Sequence, residues 1–69
     1  MESEPMNFRV YYHPKSSTME ASVDFFATRE EVAKEGAPQV LRHREKGALL
    51  RRIMRIDQNG QELGVVLSS

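Results

Sequence analysis

The sequence predicts an α+β domain of two layers: an antiparallel sheet with elements in the order ββαββ, carrying one kinked or broken helix on one face. Three observations lead there. Residues 7–13 and 21–26 alternate at strand period, residues 28–31 read as a helix start, and Asn59-Gly60 reads as a tight hairpin joining two further strands.

Residues 1–6 are polar and acidic without periodicity and are expected to form a disordered tail ahead of a single domain over 7–69. In the first strand Phe8, Val10 and Tyr12 fall on one side and Arg9, Tyr11 and His13 on the other, until Pro14 ends it. A small polar loop over 15–19 leads to a second strand with Ala21, Val23 and Phe25 inward and Ser22, Asp24 and Phe26 outward. Thr28-Arg29-Glu30-Glu31 fits a capping box, with Ala27 and Val32 at the staple positions and acids near the positive end of the helix dipole. Gly36-Ala37-Pro38 should then kink or break the helix, because Pro38 has no N–H and its ring clashes with the carbonyl four residues earlier. Residues 39–46 resume as helix, with Val40 and Leu41 continuing the apolar stripe of Val32 and Ala33 and Gly47 as the stop; a fifth strand over 40–43 is the competing assignment.

Residues 49–56 fit either period, and the hairpin decides for strand. A two-residue type I′ loop at Asn59-Gly60 pairs Ile56 with Leu63, Met54 with Val65 and Arg52 with Leu67. That register makes the side with Leu50, Arg52, Met54, Ile56, Leu63, Val65 and Leu67 the inward one, apolar except at Arg52. Arg51, Ile53, Arg55 and Asp57 then point outward, opposite Ser68, Val66, Gly64 and Glu62.

Sixty-nine residues suffice for one small core of modest stability, on the order of 5 kcal/mol, and leave little room for a deep catalytic cleft. The absence of Cys excludes disulfides and thiolate zinc sites. With no signal-peptide pattern and no apolar run of membrane-spanning length, a cytoplasmic location is expected, without membrane contact. Net charge is zero but uneven: residues 1–36 hold seven acids and four bases, residues 37–69 six bases and three acids.

Little in the chain points to catalysis, and the protein is expected not to be an enzyme. His13 and His43 have no Cys, Asp or His at ligand spacing, so neither a metal nor another cofactor is expected. Ser16 and Ser17 lack a strained glycine-framed turn and an orienting base, and Asp24, Glu30 and Glu31 have capping or surface roles. Gly36, Gly47, Gly60 and Gly64 are too dispersed for a phosphate-binding loop, and no small-molecule substrate is indicated.

What remains is surface. Ile53 and Val66, opposite one another and flanked by Arg51 and Arg55, present apolar area between arginines, a mixture typical of protein interfaces, and Tyr11 and Phe26 extend it if they share that surface. The favoured function is therefore a protein-protein interaction module, a small regulator, inhibitor or homodimer, binding a protein partner or itself through the outward sheet face. The alternative is an RNA- or DNA-contacting protein, with Arg42, Arg44 and Lys46 at the helix end and Arg51 and Arg55 on the third strand meeting phosphates.

The segment Arg55-Ile56-Asp57-Gln58-Asn59-Gly60-Gln61-Glu62-Leu63-Gly64-Val65-Val66 resembles the first hairpin of the N-terminal domain of bacterial translation initiation factor three. There the hairpin comes first and a helix follows, whereas here it closes the chain, so the likeness stays local and assigns no family. In size and outline the chain is also similar to small phage proteins that cover a host machine, anti-CRISPR proteins among them, which implies a further alternative as an inhibitor of that kind.

Overall fold

The computed structural model describes residues 5–68 and shows four strands and one helix in the order β1 (Met6–His13), β2 (Ala21–Ala27), α1 (Glu30–Arg44), β3 (Leu49–Ile56) and β4 (Glu62–Ser68). This is the expected α+β order. Of the expected tail, residues 1–4 lie outside the described residues, while Met6 already belongs to β1 and pairs with Ala27. The strands form one antiparallel sheet in the order β2-β1-β3-β4, so two hairpins meet along a central β1–β3 pair.

β1 and β2 follow their alternation. Phe8 pairs with Phe25 and Val10 with Val23, and the two phenylalanine rings lie 5.8 Å apart between centroids, within the range of favourable aromatic pairs. Phe8, Val10 and Tyr12 are buried together with Ala33, Ala37 and Leu41 of α1, which places the helix over this face. The bulky side chains come from the sheet and mostly small ones from the helix, at i, i+4 and i+8, so the helix axis can sit close to the strands. Val32, expected in the stripe, is exposed.

Two expectations about the helix are corrected. Its N-cap is Arg29 rather than Thr28, the Ala33 N–H donates to the Arg29 carbonyl at 3.0 Å, and no side-chain capping bond forms. Of the expected kink or break, the break is absent: α1 runs uninterrupted through Gly36-Ala37-Pro38, with Ala37 and Leu41 buried on either side of Pro38. Residues 40–43 are therefore helix and not a fifth strand. The helix stops at Arg44, and Gly47 adopts φ +86° in the turn to β3.

The third and largest correction concerns register. Only Gly60 of the Asn59-Gly60 pair has positive φ, which rules out a type I′ turn, since that needs both central residues there. Instead the Gly60 N–H donates to the Asp57 carbonyl at 3.0 Å and the Asp57 N–H to the Gln61 carbonyl at 2.9 Å, closing a three-residue loop. The Asp57 carboxylate braces it by accepting from the N–H groups of Asn59 at 2.8 Å and Gln61 at 2.9 Å. Ile56 consequently pairs with Glu62, leaving Leu63 as an extra residue; Met54 pairs with Val65 as counted, and Ile53 then pairs with Leu67, leaving Val66 extra.

A further irregularity lies in β3. Tyr11 pairs with Arg52 but Tyr12 with Leu50, so Arg51 is the extra residue and the inside-outside phase of β3 reverses across it. Leu50 and Ile53 thereby face the helix side together, and Ile53, expected outward, has no exposed surface. Met54 and Ile56, expected beneath the helix, align with Arg9 and Asn7 on the other face, and Leu63, Val65 and Leu67, expected inward, are exposed.

Candidate functional site: the sheet face away from the helix

The face opposite α1 is built around Arg9, in the centre of β1. Its guanidinium donates to both carboxylate oxygens of Asp24 on β2, Nε to Oδ1 at 2.8 Å and Nη2 to Oδ2 at 3.3 Å. Nη1 donates to the Gly60 carbonyl in the β3–β4 loop at 3.2 Å and lies 3.8 Å from Glu62 on β4. One side chain thus ties both hairpins together across the sheet. The hydrogen bond to Asp24, followed by that to Tyr11, raises the Arg9 pKa further above its already high ordinary value.

The network continues along the face. The Tyr11 hydroxyl donates to Glu62, and the Arg52 guanidinium lies 4.0 Å from the centroid of the Tyr11 ring. Arg52 also lies 3.5 Å from Glu20, whose other oxygen is 3.9 Å from His13 Nε2. Arg9 and Arg52 therefore each have a carboxylate beside them. Such a surface offers little unbalanced positive charge to a phosphate chain.

Apolar area lies at the edges of this network. Phe26, opposite Asn7, is 76 % exposed, and Val65, opposite Met54, is 61 % exposed. Beside Phe26 a hollow of about 360 Å³ opens between Ile56, Gly60 and the carboxylate-bearing Asp24 and Asp57. Among the described residues no three of His, Cys, Asp and Glu come together in a way that could hold a metal ion. No helix there is long and apolar enough to cross a membrane.

The residues expected to bind a partner do not form one surface. Tyr11 and Phe26 share the open face, at its two ends. Ile53 is in the core, and Val66 is half-buried against that core. Arg55 aligns with Phe8 and borders a hollow with Glu30, on the side that carries the helix. Arg51 is exposed at the irregularity of β3. The basic cluster divides as well: Arg42 borders a hollow with Ala48 and Leu50 near the helix C-terminus, where Arg44 and Lys46 also lie, whereas Arg55 is beside the first helical residue, about 18 Å of helix away. Missed from sequence were Arg9, Arg52, Glu20 and Glu62, whose meeting depends on the β1–β3 pairing, a long-range contact with no local signature.

Comparison with known protein families, curated proteins and solved structures finds no match.

Proposed function

We propose that the chain is a two-layer, non-enzymatic protein-protein interaction module, its helix bent at Pro38, that binds a protein partner through the sheet face away from the helix. The observation that carries this proposal is Phe26: a large aromatic side chain, 76 % exposed, beside a hollow and next to side chains held in place by paired charges. An exposed aromatic anchor on a face that also carries arginine and tyrosine has the composition of interface hot spots, and a network tied down before binding reduces the ordering cost of association. The contact centres on Phe26, Tyr11, Arg52 and Val65 rather than on Ile53 and its flanking arginines.

Affinity capture from a nuclease-treated lysate, with wild type, Phe26→Asp and the double variant Arg42→Glu/Arg44→Glu compared side by side, tests it. A partner retained by wild type and by the arginine variant, and lost with Phe26→Asp, supports the open face. Loss with the arginine variant and retention with Phe26→Asp would transfer the function to the helix end.

A further inference from the structure

β2 is the edge of the sheet that carries Phe26, and among the described residues no strand pairs with its outer side and no loop or helix backbone group bonds to residues 21–27. A strand offers alternate N–H and C=O groups to each side, so half of those on β2 point away from β1. Its seven pairs with β1, from Met6 with Ala27 to Tyr12 with Ala21, contain no extra residue. β4, at the other edge, is interrupted at Leu63 and Val66, and such bulges disfavour strand addition. The regular edge is therefore β2. Its side chains divide by face: Val23 and Phe25 are half-buried on the helix side, whereas Asp24 and Phe26 are exposed on the open side.

We infer that the occupant of this edge is an extended segment of the protein partner, added as a fifth strand beside β2 and carrying a lysine or arginine opposite Asp24. The inference rests on the reading of the open face as a protein-binding surface and names the form its ligand takes. Charge selects the occupant. On this face the carboxylates of Glu20, Asp24, Asp57 and Glu62 outnumber the guanidinium groups of Arg9 and Arg52, and the Asp24 side chain stays 54 % exposed despite its bonds to Arg9. A second copy joined antiparallel about the midpoint of β2 would set Asp24 against itself, whereas a cation at that position meets an opposite charge. Alternation supplies the rest of the pattern. The residues flanking the cation fall opposite Val23 and Phe25 and are apolar, and a residue two positions away falls opposite Phe26, beside the hollow of about 360 Å³. Main-chain bonds then provide affinity, and these side chains the choice of sequence.

The probe is a phage-displayed library of random twelve-residue peptides selected on the full chain, with the selected peptides then synthesised and amide hydrogen exchange measured with and without them. Selected sequences are expected to alternate apolar residues with a lysine or arginine, and to slow the outward amides of β2 by about tenfold or more while leaving those of β4 unchanged. Asp24→Asn should weaken such a peptide by about two- to fivefold and Asp24→Lys by about tenfold, and selection repeated on Asp24→Lys should favour aspartate or glutamate. Circular dichroism confirms that each variant is folded. Phe26→Ala separates the strand from the anchor. A peptide lost with Phe26→Ala that leaves β2 amides unprotected overturns the strand inference while the open-face reading stands; one that protects β2 and is indifferent to Phe26→Ala keeps the strand and removes Phe26 as the anchor. Selection that yields no binding peptide, acidic sequences on the wild-type chain, or basic ones indifferent to Asp24→Lys would overturn the inference.

Discussion

Val10 and Ile53 are directly opposite one another in the central β1–β3 pair, and neither has any exposed surface. The contact joins the N-terminal and C-terminal hairpins beneath the helix and decides which side of β3 is inside. Ile53→Ala should cost about 3 kcal/mol, the usual penalty for deleting a large buried aliphatic side chain. Urea unfolding measures it, and a loss below about 1 kcal/mol would mean that Ile53 is on the surface.

Arg9 fastens the other face. Arg9→Met keeps much of the apolar stem but removes the bonds to Asp24 and Gly60 and the proximity to Glu62, and should destabilise the fold by about 1–2 kcal/mol. Because Asp24 is about half exposed, a double-mutant cycle between Arg9 and Asp24 should attribute less than about 1 kcal/mol to that pair. The remainder belongs to the Gly60 carbonyl and to packing.

Pro38 sits inside a helix with no N–H to offer the Lys34 carbonyl. Its presence there is offset by burial of Ala37 and Leu41, which hold the chain helical on both sides. Pro38→Ala is therefore expected to stabilise the protein by about 1–3 kcal/mol, seen as a higher thermal midpoint. Destabilisation would show that the proline ring makes packing contacts the helix needs.

The helix start offers a contrast between neighbours. Thr28→Ala should change stability by less than about 0.5 kcal/mol, because no capping bond is lost. Arg29→Asp supplies an acceptor and a negative charge at the actual N-cap and should add about 1 kcal/mol. Chemical denaturation of the two variants separates a cap at 28 from one at 29.

What was legible in the sequence is what is locally encoded. The faces of β1 and β2 follow from uninterrupted alternation, and the position of the last hairpin follows from its Asn-Gly pair. Its loop length did not, because Gly60 serves a three-residue loop as well as a two-residue one. Nor did the phase of β3, since an extra residue at Arg51 has no compositional mark and both sides of the strand hold buried apolar residues: Ile53 on one, Met54 and Ile56 on the other. The candidate site inherited that inversion. Tyr11 and Phe26, read from strands with clean alternation, fell on the open face, whereas Ile53, Val66 and Arg55, read through the hairpin count, did not.

Which side of β3 faces the helix underlies both the fold and the position of the proposed binding face, and methyl-resolved nuclear Overhauser spectroscopy addresses it directly. The Ile53 methyl groups should give cross-peaks to Val10 and to the methyl groups of α1, and none to Arg9 or Tyr11. Cross-peaks from Met54 to Ala37 or Leu41, with Ile53 instead near Tyr11, would contradict the account.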